Sequence, residues 1–194
     1  MMRGLWCAML VLLAGCSTLV PVIGPSIPAP AGLDRAFIPS FEITGRLSVR
    51  HANEGFSGNL SWRHVFGDDE FVVQTPLGQG VARVTQNSQG ATLQTADGQV
   101  RQAPDAESLT QQVLGFRLPL AGLPHWVQAR AVSENAVFRH NPDGTLAFLN
   151  EQGWQIAYLS YHMVGTTVLP SKLSMENADL KLRLVIDDWQ APAP

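Results

Sequence analysis

Between residues 41 and 190 apolar and polar residues alternate with a period of two, broken only once by a stretch of helical spacing. That period belongs to strands that bury one face and wet the other. Phe41, Ile43, Leu47 and Val49 alternate with Glu42, Thr44, Arg46, Ser48 and Arg50, and Phe56, Leu60 and Trp62 with Ser57, Asn59, Ser61 and Arg63. Turn residues punctuate the run at Gly67-Asp68-Asp69, Pro76-Leu77-Gly78, Asp97-Gly98, Pro142-Asp143-Gly144 and Gln152-Gly153. The last strand sets Leu180, Leu182, Leu184 and Ile186 against Lys181, Arg183 and Asp187. About ten or eleven short strands result, without β-α-β alternation. The expected class is mainly β, a single curved antiparallel sheet or barrel with helices against one opening.

The interruption is short. Asp105 can cap a helix carrying Leu109, Val113 and Leu114, and Gly115 can end it. Leu120, Leu123, Trp126 and Val127 then recur at helical spacing, with Pro119 near the start. Pro124 is expected to kink that second segment or split it in two.

The N-terminus is a different kind of sequence. Arg3 supplies positive charge, Leu5 to Leu13 an apolar core, and Leu13-Ala14-Gly15-Cys16 the small-residue cleavage pattern of bacterial lipoproteins. Residues 1–15 are therefore expected to be a signal peptide, with Cys16 carrying the lipid as the new N-terminus; its thiolate is a good nucleophile toward a lipid donor. Ser17 stands where an inner-membrane retention Asp would be, so outer-membrane sorting follows, on the periplasmic face. Residues 16–40, with Pro21, Pro25, Pro28, Pro30 and Pro39, lack periodicity and are expected to form a Pro-rich tether.

Composition excludes several functions. The chain has 194 residues, 13 basic and 16 acidic, for a net charge of −3. Loss of Arg3 leaves 12 basic residues, only two of them Lys, so no cationic field exists to hold nucleic acid. Both cysteines, Cys7 and Cys16, precede the strands, which removes disulfides and cysteine-ligated metals from the domain. The histidines His51, His64, His125, His140 and His162 lack metal-ligand spacing and read as surface or strand residues. Gly55-Phe56-Ser57-Gly58 is too short for a nucleophile elbow. Gly78-Gln79-Gly80 meets Arg83 where a dinucleotide loop needs its third glycine. Asp68-Asp69-Glu70 and Asp187-Asp188 read as solvated charge at turns and strand ends. No catalytic residues, metal or cofactor beyond the covalent lipid are expected, and the protein is expected to be a monomer.

What remains is an apolar surplus. Trp62, Phe71, Leu123, Trp126, Phe148, Trp154 and Tyr158 are candidates to line an acyl-chain cavity, as in lipid-binding barrels. The same residues would also make an ordinary packed core.

Taken in order, Phe41-Glu42-Ile43-Thr44-Gly45-Arg46-Leu47, Gly58-Asn59-Leu60-Ser61-Trp62, Thr75-Pro76-Leu77-Gly78, Gly153-Trp154-Gln155-Ile156-Ala157-Tyr158 and Leu182 to Trp189 resemble the LolB family of outer-membrane lipoprotein receptors. The resemblance covers about residues 41–190. It implies an unclosed antiparallel β-barrel with helices forming a lid over an apolar cavity. It also implies an activity: accepting acylated lipoproteins from the periplasmic carrier LolA and releasing them into outer-membrane lipid without a nucleotide. The Pro-rich tether, and Pro124 in a segment usually continuous in the family, depart from the pattern. The resemblance further implies that Leu77 aids membrane delivery. Pro76 and Gly78 would display it at a loop tip, although a loop Leu can also fold back on a core. Two other readings of the residues are a structural lipoprotein of an envelope assembly complex with an ordinarily packed β-domain, and a lipid-modifying hydrolase.

Overall fold

A computed structural model describes residues 36–76 and 80–191. The alternating stretches form β1 (Ser40–His51), β2 (Glu54–Val65), β3 (Asp68–Gln74), β4 (Gly80–Asn87), β5 (Gly90–Thr95) and β6 (Val100–Ala103). After the helices come β7 (Val137–His140), β8 (Leu146–Glu151), β9 (Trp154–Val164), β10 (Thr167–Asn177) and β11 (Leu180–Gln190). All eleven belong to one antiparallel sheet in the order β6-β5-β4-β3-β2-β1-β11-β10-β9-β8-β7. Sheet neighbours are chain neighbours except where β1 meets β11, which joins the two halves. β6 and β7 are the edges and do not pair, so the sheet is not closed.

Side-chain period fixes the two faces. In β1, Phe41, Ile43 and Val49 are buried while Glu42, Thr44, Arg46, Ser48 and Arg50 face water. A bulge between Thr44 and Gly45 shifts the register with β11, and a Cβ at Gly45 would collide with the Val185 carbonyl. The wet face carries exposed cross-strand ion pairs, Arg46–Asp187 at 2.8 Å and Arg63–Glu42 at 3.2 Å, which add little stability. The inner face gathers Ile43, Trp62, Leu149, Ile156, Leu173, Leu184 and their neighbours into one core.

Helix α1 (Ala106–Leu114) has the expected caps. Asp105 accepts from Ser108 N at 2.6 Å, and Gly115, at φ 82°, donates to the Gln111 carbonyl at 3.1 Å. The helix packs on β4, β5 and β6, covering one half of the inner face. The second helical segment is split as its prolines require: a turn over 120–122 leads into α2 (Leu123–Trp126), where Pro124 sits in the first turn and lacks no needed N–H. Gly122 has no Cβ because the Trp126 indole occupies that space.

The end of the expected tether belongs to the domain. Ile38 is clamped by the buried Gln128 amide, its N–H donating to Oε1 at 2.9 Å and its carbonyl accepting from Nε2 at 3.1 Å. Phe37 stacks on His125 at 4.6 Å. Residues 37 and 38 thus pack on the sheet domain, because a side chain far away in sequence holds this backbone.

Candidate functional site

Register places the ends of the molecule. The Phe66 N–H donates to the Pro39 carbonyl, so the stretch before β1 lies at the same end as the β2–β3 turn. β3 runs away from there, and residues 75–79 link Gln74 to its β4 partner Gly80 at the opposite end. Leu77 and Gly78 lie outside the described residues, as does Cys16; Pro76 is exposed in a turn.

Between the inner face of β1–β5, β10 and β11 and the helical segment lies a cavity of about 490 Å³. Its walls are almost wholly apolar. Leu60, Trp62, Phe71, Val84, Leu93 and Leu184 come from the sheet; Leu109, Val113 and Leu114 come from α1; Leu118, Leu120 and Leu123 close the far side. Phe56, Ser57 and Val113 are its exposed members, so it opens between the start of β2 and the last turn of α1. Thr75 also lines it.

Of the seven candidates for a cavity wall, Trp62, Phe71 and Leu123 line this space. The other four lie elsewhere. Trp126 and Trp154 border a separate depression, and Tyr158 is packed below α2, its hydroxyl donating to the Trp126 carbonyl at 2.9 Å. Burial, with Tyr161 and Glu151 nearby, raises that phenol well above its ordinary range. Phe148 points to the outer face beneath the Arg139 guanidinium, 5.6 Å from its ring centroid. The physical reason is that Leu149 and Glu151 occupy the inward positions of β8, which turns the residue between Leu149 and Ala147 outward.

Two buried polar clusters frame the cavity. Asp69, expected in solvent, is buried: its Oδ1 accepts from Trp62 Nε1 at 2.7 Å and meets His64 Nδ1 at 2.7 Å. His64 and Asp69 are directly opposed on β2 and β3, so the antiparallel register makes the contact. His64 is thus a buried ring stacked on Phe41 rather than a surface one. This cluster fixes the rotamer of the cavity-lining Trp62. Across the sheet, Glu151 accepts from Trp126 Nε1 at 2.7 Å, from Val132 N at 2.8 Å, and from both the backbone N–H and the hydroxyl of Ser133. Burial pushes the Glu151 carboxyl up, but the bonds from Val132, Trp126 and Ser133 together outweigh it and hold it below the ordinary range. The only sequence signal for either cluster was an acidic residue at an inward strand position.

Among the described residues no three His, Cys, Asp or Glu come together as a metal site, and no helix is long and apolar enough to cross a membrane. Ser57 stands within β2, not on the strand-to-helix turn a nucleophile elbow requires.

Known proteins share both sequence and fold. An outer-membrane lipoprotein LolB of Thiobacillus denitrificans is 38% identical over 180 residues, covering 92% of each chain. One from Azoarcus sp. is 35% identical over 189 residues, covering 97% of this chain and 95% of that one. A crystal structure of a LolA superfamily protein from Nitrosomonas europaea superposes with a TM-score of 0.52 at 10% identity, over 87% of this chain and 93% of that one, a likeness of fold alone. The family model "Outer membrane lipoprotein LolB" matches residues 39–189, from just after the clamped Ile38 to the penultimate residue of β11, and the chain belongs to that family.

Proposed function

We propose that the protein is an outer-membrane-anchored receptor that accepts acylated lipoproteins from a LolA-like periplasmic carrier and inserts them into outer-membrane lipid without a nucleotide. The observation that carries this reading is the unfilled apolar cavity. A space of 490 Å³, at roughly the 30 Å³ a small group such as water occupies in a liquid, has room for one long acyl chain. Each sheltered methylene contributes about 0.8 kcal/mol, and transfer needs no external energy source provided this cavity holds the chains more tightly than the carrier does. An ordinarily packed structural domain would fill that space with its own side chains.

In this reading Cys16 carries the lipid anchor, and α1 with residues 118–126 is the lid. A cargo with more than one chain needs more room than the cavity has, so the lid yields on loading. Helix α1 is bounded by the caps at Asp105 and Gly115, and in this reading it moves as one unit, releasing the bond from Ala106 N to Gln86. Pro76, Leu77 and Gly78 serve as the delivery loop, and Leu77 touches the bilayer as the chains leave.

The test is Leu77→Glu in a transfer assay with loaded carrier and outer-membrane vesicles. Burying one Leu contributes about 1.5–3 kcal/mol, so insertion into vesicles should fall by about tenfold or more while acceptance from the carrier is unchanged. Normal insertion by the variant would remove the loop from the mechanism, and failure of the wild type to accept cargo would overturn the receptor reading.

A further inference from the structure

The inner face of the sheet does not end where the apolar cavity ends. Along β1 it runs from Leu47 to His51, along β10 from Met175 to Asn177, and along β11 from Leu182 to Leu180. The first member of each pair lines the cavity, and the second lines a separate depression of about 520 Å³. These steps of two or four residues keep to one face of their strands. Leu118 borders both spaces, and Phe116 packs against the His51 ring at 4.6 Å, so residues 116–118 form the partition between them. Helix α1 shows the same division, with Leu109 and Val113 toward the cavity and Glu107 and Gln111 toward the depression.

The chemistry changes across that partition. The cavity is almost entirely apolar, whereas the depression has Trp126 and Trp154 at its base and Glu107, Arg117, Asn177 and Asp179 around it. Asn177 is half-buried at the end of β10, and its side-chain amide has no hydrogen-bond partner among the described residues. An amide in that position can both donate to and accept from a peptide group. Two adjoining spaces, one apolar and one of mixed polarity, match a ligand whose acyl chains and polar part are joined at one point.

We infer that this depression is a vestibule for the first residues of an acylated protein, holding its N-terminal peptide while the acyl chains occupy the cavity. The inference rests on the receptor reading above. Phe116 and Leu118 then separate chain from peptide, and Asn177 binds peptide amides beside the acylated cysteine.

The experiment compares three probes on the unlipidated domain: a dipalmitoylated cysteinyl peptide, palmitate and a lysophosphatidylglycerol. Their affinities are measured for the wild type and for Asn177→Leu, with a melting curve and Asn177→Gln alongside. Loss of a hydrogen bond from a polar site weakens binding about 3- to 10-fold, so Asn177→Leu should lose that much affinity for the lipopeptide and none for palmitate or the lysolipid. Asn177→Gln should recover part of it. Equal losses for lipopeptide and lysolipid would make the vestibule a general polar-head site and overturn the peptide assignment, as would unchanged lipopeptide binding. If the wild type binds none of the three probes, the receptor reading fails with it.

Discussion

Ala82→Trp should weaken acyl binding by about 50-fold while leaving the domain folded. Ala82 lines the cavity from β4 and is only partly buried, so an indole there extends into unfilled space instead of into packed neighbours. If the ring displaces even three methylenes of a bound chain, the loss is about 2.4 kcal/mol, on the order of 50-fold in affinity. Stability should hold or rise, because filling an apolar void restores contacts that the empty wall lacks. Titration of a fluorescent fatty acid, paired with thermal unfolding, checks both halves. A variant that binds as the wild type does would mean that the cavity is not where chains reside.

The second large effect is on stability. Glu151→Ala would strip the acceptor from Trp126 Nε1, Val132 N and Ser133 N in a buried site. Hydrogen bonds to a charged group are worth about 1.5–3 kcal/mol each and orphaned donors cost more, so a loss of at least about 3 kcal/mol is expected. The damage should centre on α2 and residues 127–133, which this carboxylate ties to β8. The same residue gives a pH dependence. Its carboxyl is held below the ordinary range in the folded state, so its contribution is fully present above the unfolded value. That contribution is lost as pH falls through the lowered folded value. Denaturant midpoints from pH 7 to pH 3 should therefore drop more in the wild type than in Glu151→Gln, which has no carboxylate to protonate. Parallel curves would assign acid lability to other groups.

The strands were legible because each buries one face and so writes its period into the sequence. Eleven formed, and Asp105, Gly115 and Pro124 each marked a helix boundary through local backbone chemistry alone. The cavity wall was legible only in part. Alternation separates inside from outside, but it does not say which part of the inner face is hollow. Trp62 and Trp126 are equally buried, yet one lines the cavity and the other anchors α2 to Glu151. Phe148 shows the other limit. A carboxylate at the inward position of β8 hides the period, and a one-residue ambiguity moves an aromatic ring to the opposite face. Asp69 was hidden in the same way, since its partners Trp62 and His64 come from the neighbouring strand.

The two halves of the inner face thus divide the work. On the side of β8 and β9, buried polar groups lock α2 and residues 37–38 in place. Around β2 to β5 the wall beyond the buried His64–Asp69 pair stays apolar and unfilled beneath a short capped helix. That contrast supports a domain that is rigid on one side and able to admit a guest on the other.

The most direct test uses a lipopeptide with a photoreactive group near the end of its acyl chain, irradiated on the domain and mapped by mass spectrometry. The account predicts crosslinks to Val84, Leu93 and Leu109, deep in the apolar chamber. Adducts confined to outer-face residues such as Phe148 and Leu159, or an absence of adducts despite binding, would contradict it.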